Sequence, residues 1–204
     1  AYITLVPLAA VYLAQTSATR AWRGWLRWSL GTFVITLIGY VLLVQFYPGT
    51  LGKKDAIDLG RGDNTLDVYG WEKAGEQFAL FYQKEKAMGR ISAATPVVCP
   101  KWWGAHVEYY FCLPQQLQMI GLGPLHLLHE YQWMNSERKH KVDLSTAYCI
   151  VPSDEWYDVQ KTYAPYYNQA ELVTQIPTFR NGKQAHIFYI YRLSGWKGKL
   201  PEVR

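Results

Sequence analysis

Residues Trp28 to Tyr47 read WSLGTFVITLIGYVLLVQFY, a run of 20 residues without a charged side chain. At the rise of an α-helix such a run is roughly 30 Å long, the thickness of a bilayer's hydrocarbon core. Arg20, Arg23 and Arg27 stand just before it, and Lys53 is the first charge after it. A soluble domain can bury an apolar helix, but an uninterrupted uncharged run of this length reads as a membrane span.

Working outward, the stretch from Ala1 to Ala14 is also apolar and stays uncharged through Thr19. It has neither the basic start nor the processing site of a signal peptide. It reads as the tail of another span, and the chain as one truncated at its N-terminus. Gln15 to Arg27, between the two runs, holds three arginines and no acid. Short loops rich in Arg and Lys stay in the cytoplasm. The second span therefore runs outward, and residues 48–204 are expected outside the membrane. Trp22, Trp25, Trp28, Tyr40 and Tyr47 are candidate interface anchors. The expected organisation is a transmembrane helical hairpin over 1–47, a linker over 48–63 and an extracytoplasmic domain over 64–204.

The formal charge of +5 is unevenly spread. Three of the 21 basic residues and none of the 16 acidic ones precede Lys53, which leaves the remainder at +2. That balance is an ordinary soluble surface and excludes a nucleic-acid footprint. Cys99, Cys112 and Cys149 lack metal-ligand spacing. Outside the cytoplasm they allow one disulfide, Cys99–Cys112 being the nearest pair, or buried free thiols.

Pro48 to Asp63 is rich in Gly and charge and has no apolar period. Asn64-Thr65 offers a helix cap with Asp67 in the first turn, and apolar positions from Leu66 to Tyr82 recur at helical spacing, closed by Gly89. Pro96–Cys99, Leu117–Leu122 and Ser145–Val151 read as buried strands. Trp103, Val107, Tyr110 and Phe111 fall on one helical face that ends before Pro114. Leu172–Phe179 and Gln184–Leu193 flank Asn181-Gly182, a strong hairpin signal. Strands alternating with helices, then a hairpin, predict an α/β domain with a mostly parallel sheet flanked by helices and an antiparallel C-terminal hairpin.

No constellation for chemistry stands out. His126-Leu-Leu-His129-Glu130 lacks the order of a zinc-protease helix and a third ligand, so it reads as surface or hydrogen-bonded histidines. Gly121-Leu-Gly123-Pro124 lacks the third glycine of a dinucleotide loop and reads as a turn. Ser153 lacks the G-x-S-x-G context and reads as a helix cap. No cofactor site is evident. The aromatic pairs, among them Trp102-Trp103 and Tyr131 with Trp133, suit core packing, sugar stacking or a membrane-facing surface.

One order of residues is distinctive. Two apolar runs around an Arg-rich turn precede Asp67-Val68-Tyr69-Gly70-Trp71, a helix and the strand Pro96–Cys99. Then follow Tyr109-Tyr110-Phe111-Cys112-Leu113-Pro114, HEYQW (His129 to Trp133) and FYIYRL-x-G-x-K-G (Phe188 to Gly198). This pattern covers nearly the whole chain and resembles the C-terminal part of bacterial GT-C membrane glycosyltransferases, the superfamily of protein O-mannosyltransferases and 4-amino-4-deoxy-L-arabinose transferases. The resemblance implies a polytopic enzyme of the bacterial inner membrane. It would transfer a sugar from a polyprenyl-phosphate donor to an extracytoplasmic acceptor, a lipid A, glycan or protein. In that family the catalytic acid lies in the first outward loop, to which no position here corresponds, so neither Asp63 nor Asp67 is given that role. Arg61, Trp71, Trp102, Trp103, Tyr131 and Trp133 remain as candidate substrate-binding residues. The rival expectations are a membrane-anchored, non-catalytic domain that binds a glycan or a partner protein, and an independent soluble α/β enzyme.

Overall fold

The computed structural model describes residues 5–16, 20–128, 130–198 and 200. The chain divides into two compact units, Ala1–Phe46 and Tyr47–Arg204. The first holds helices α1 (Leu5–Thr16) and α2 (Arg20–Phe46). Within α2, Trp22–Phe46 is long and apolar enough to cross a membrane. Large apolar side chains cover α2 and stand exposed, Trp28, Phe33 and Ile35 among them. The helix starts eight residues before Trp28, because nothing in Arg20–Arg27 stops it, and Tyr47 already belongs to the second unit.

The second unit is a mixed α/β domain. Its strands are β1 (Val97–Cys99), β2 (Met119–Gly121), β3 (Thr146–Pro152), β4 (Tyr167–Arg180) and β5 (Lys183–Trp196). They form one sheet in the order β2-β1-β3-β5-β4, with β1 parallel to β2 and β3, and β5 antiparallel to β3 and β4. The expected strands are all present, but the mostly parallel sheet is corrected to a mixed one. Parallel neighbours need crossovers, and here the chain leaves β1 and β2 after three residues each. The hairpin needs only Asn181 (φ 47°) and Gly182 (φ 77°), the two left-handed residues of a tight turn, so each of its strands extends over 14 residues.

Alternation along the strands feeds two cores. Val97, Cys99, Tyr148, Ile150, Phe188 and Ile190 face one layer, which includes helix α3 (Trp71–Ala87) and the short helix α4 (Gly104–Val107). Val98, Cys149, Val151, Ile187 and Tyr189 face the other, with Leu59 and with Val159 and Tyr163 of α6 (Val159–Tyr163). Helix α5 (Tyr131–Arg138) packs beside β2, where Asn135 exchanges two hydrogen bonds with the Gly121 backbone.

Three local expectations change. The helix expected from Leu66 is split, because Asn64–Val68 form a 3-10 turn capped by Asp63 and α3 starts only at Trp71. Gly70 between them has φ 87°, and a Cβ there would come within 2.8 Å of Thr178 Oγ1. After α4 the chain widens into a π-helix, Glu108–Cys112, while Trp103, Val107 and Phe111 stay buried as one stripe. Ser153 caps no helix. Its hydroxyl donates to the Leu59 carbonyl at 2.6 Å and accepts from the Ile187 N–H at 3.1 Å.

The stretch 48–63 is built into the domain, with Gly49, Thr50, Leu59, Gly60 and Asp63 buried. The three cysteines are free and buried. Burial pushes the Cys149 thiol up to about 11, although hydrogen bonds with Tyr157 and Tyr163 work against it.

Candidate functional site

The parallel strands β1 and β3 end side by side, so the segments that leave them, Lys101–Trp103 and Ser153–Glu155, gather at one end of the sheet. Open α/β sheets bind ligands at this carboxyl end. β5 runs the opposite way and pairs Phe188 with Pro152, so His186 lies just beyond the end of β3. The first turn of α3 brings Trp71 to the same place, and α4 brings His106.

These residues form one cluster. The His186 ring, fully buried, sets Nε2 2.6 Å from Asp154 Oδ1. With the Asp154 carboxyl on that side, Nε2 is the ring atom that donates to it. The Trp71 ring lies 4.9 Å from His106 and 6.3 Å, edge-on, from His186. His106 is stacked at 6.5 Å on Tyr110 and met at 6.0 Å by the edge of Trp102, whose indole is 47% exposed. Three buried polar atoms here have no hydrogen-bond partner within the protein: Trp71 Nε1, His106 Nδ1 and His186 Nδ1.

The electrostatics are unusual for a surface. Asp67 is pushed above its ordinary value by burial and next by the charge of Asp154, while His106 pulls the other way. Burial lowers His106, against the pull of Asp67. The two shifts oppose one another, a carboxyl held up and an imidazole held down by the same partial burial. Chemically, the cluster offers two carboxyl groups, two imidazoles and an exposed indole face, a set suited to hydroxyl groups.

Asp67 gives a direct check. Its raised folded value means that stability is lost as pH rises through the ordinary 3.8 to the folded value. Asp67→Asn removes that loss. The variant is expected to unfold at higher urea than wild type at pH 7 and at the same urea in acid below 3.8. Lower stability of the variant at both pH values contradicts the assigned strain.

The residues expected from sequence divide. Trp71, Trp102 and Trp103 come together, although Trp103 is 1% exposed and packs against Tyr157 with the Lys101 ammonium 4.8 Å over its ring. Arg61 is engaged beside the segment that follows β3, with Nη2 donating to the Trp156 carbonyl at 2.8 Å and Nε 3.7 Å from Asp58, and shows no contact with the cluster's rings. Tyr131 is 8% exposed and donates to Glu108, which pairs with Arg138 at 2.8 Å. Trp133 is exposed on α5, apart from the cluster. Sequence reasoning misses Asp154, His106 and His186, since no local spacing links them. Among the described residues no group of three His, Cys, Asp or Glu side chains is placed to hold a metal. His126 is exposed, and His129 lies outside the described residues.

A groove of about 500 Å³ runs between α3 and the π-helix, lined by Glu72, Glu76, Tyr109, Tyr110 and Leu113. The close approach of the two helices requires a glycine at 75, because a Cβ there would lie 2.2 Å from the Tyr110 carbonyl oxygen. Compared with protein-family models, with curated proteins and with solved structures, the chain finds no match.

Proposed function

We propose that this chain is the C-terminal part of a membrane glycosyltransferase that moves a sugar from a polyprenyl-phosphate donor to an extracytoplasmic acceptor. α2 is its last span, and the domain from Tyr47 onward stands outside the bacterial inner membrane. The carrying observation is the shared end of the domain. Its first residues dock beside the carboxyl-end cluster: the Gly49 N–H donates to the Arg180 carbonyl, and a Cβ on Gly60 would meet Asp154. A lipid-linked sugar or acceptor coming from the bilayer would approach that end. The three arginines in the first turns of α2, with no acid near them, and the sequence pattern across the chain support the same reading. The domain supplies acceptor contacts through Asp67, His106 and Trp102, and the catalytic acid belongs to a preceding outward loop.

The groove beside the π-helix favours a second reading, a membrane-anchored domain that binds a glycan without transferring it. Aromatic walls with acidic rims suit a sugar ring. One assay separates the two. Membranes carrying the complete polypeptide are given polyprenyl phosphate bearing a labelled sugar and candidate acceptors. Transfer that weakens with Trp102→Ala and with Trp71→Ala, but not with the exposed control Met88→Ala, is the expected result. Glycan retention without transfer favours the binding domain, and wild-type rates from Trp71→Ala and Trp102→Ala remove these two residues from the site.

A further inference from the structure

The end of the domain that begins with Tyr47 carries apolar side chains that nothing in the domain covers. Val68 is 68% exposed, Phe179 51% and Leu51 47%. They share one end of the domain. The Tyr69 hydroxyl donates to the Phe179 carbonyl at 3.1 Å, and the Leu51 N–H donates at 2.7 Å to Asp63, the carboxylate paired with Arg180. The Arg180 guanidinium lies over the rings of Tyr47 and Tyr69, at 5.5 and 5.4 Å. Lys54, three residues after Leu51, and Lys183, whose Cβ approaches Gly49, are both exposed.

Chain length limits where this end can be. Gly49 is the third residue after Phe46, and three residues reach at most about 10 Å. The headgroup layer on each side of a bilayer is about 5–8 Å thick. With α2 crossing the membrane, Gly49 and the β4–β5 turn bonded to it lie in that layer or against it. Apolar side chains with tyrosines and lysines around them match its chemistry, aliphatic at depth and polar toward the headgroups.

We infer that Leu51, Val68 and Phe179 form a phospholipid-docking patch that beds this end of the domain into the interfacial layer. The patch rests on α2 spanning the bilayer. It goes beyond the transferase reading, because a docked domain holds its carboxyl-end cluster at a fixed height above the lipid.

The test uses the full chain in phospholipid nanodiscs, with single cysteines labelled by bimane at Val68, Phe179, Met88 or Ile35. The native cysteines are buried and free, so added surface thiols label first. Met88 is 50% exposed at the far end of α3, and 17 helical residues place it roughly 25 Å from Trp71. Replacing the lipid with brominated lipid is expected to quench the Ile35 probe most, the Val68 and Phe179 probes clearly, and the Met88 probe not at all. Val68 and Phe179 probes that behave like Met88 while Ile35 is quenched overturn the docking patch and leave the span standing. An unquenched Ile35 probe overturns the span, and the patch with it.

Discussion

Arg180→Met is expected to destabilise the domain by about 3–5 kcal/mol, the cost of leaving a buried charge without its partner. Arg180 is fully buried at the end of β4 and uses all three of its nitrogens. Nε donates to the Gly49 carbonyl at 2.7 Å, Nη1 to Thr65 Oγ1 at 2.7 Å and Nη2 to Asp63 Oδ2 at 3.2 Å. Asp63 in turn accepts from the Thr50 hydroxyl and the Leu51 and Thr65 N–H groups. One side chain thus ties residues 49–65 to the hairpin, and Arg180→Lys, without the planar fork, rescues little. Adding Asp63→Asn to Arg180→Met is expected to restore part of the loss, because the stranded carboxylate goes with it. Urea unfolding of the full chain in detergent reads all three variants.

The same pair gives a pH dependence. Burial alone would raise the Asp63 carboxyl, but hydrogen bonds from Thr65, the Leu51 N–H and Thr50 outweigh it and hold the group below 3.8. A depressed folded value contributes stability that is present above 3.8 and lost as pH falls through the folded value. Wild type should therefore weaken in acid more steeply than Asp63→Asn.

Trp103→Ala is expected to cost about 3–5 kcal/mol as a core truncation. Trp103 is the largest fully buried side chain of the domain, and its Nε1 has no partner, so the loss comes from packing against Tyr157 and from the Lys101 contact. Trp103→Phe should cost less, since it forfeits no hydrogen bond. A lower guanidinium midpoint at unchanged slope reports a core role. Unchanged stability with lost sugar affinity would instead place Trp103 in the binding surface.

The hairpin could be read from two residues because Asn-Gly between apolar runs has few other uses. The long apolar helix was equally plain from its missing charges. The sheet's composition was harder to see, since strand direction depends on how far each crossover carries the chain and not on any one strand's residues. The turn at Gly70 was hidden because its cause, Thr178, is 108 positions away. Arg180 sits where a hairpin end is normally solvated, so its burial follows from the folding back of residues 49–65. The cluster had the same obscurity. Trp71 and Trp102 drew attention as aromatics, but Asp154 and His186 are 32 residues apart and meet only through the β3–β5 register.

Both functional readings require residues 47–204 to stand outside a membrane that Trp22–Phe46 crosses, and side-specific labelling tests this most directly. A cysteine is placed either at Asp55, exposed in the domain, or at Ser17, between the two apolar runs of the sequence. Intact cells are then treated with a membrane-impermeant maleimide, against which the buried native thiols react little. Labelling of Asp55→Cys in intact cells, and of Ser17→Cys only after permeabilisation, is the predicted result. Labelling of Ser17→Cys in intact cells, or of Asp55→Cys only after permeabilisation, would contradict it.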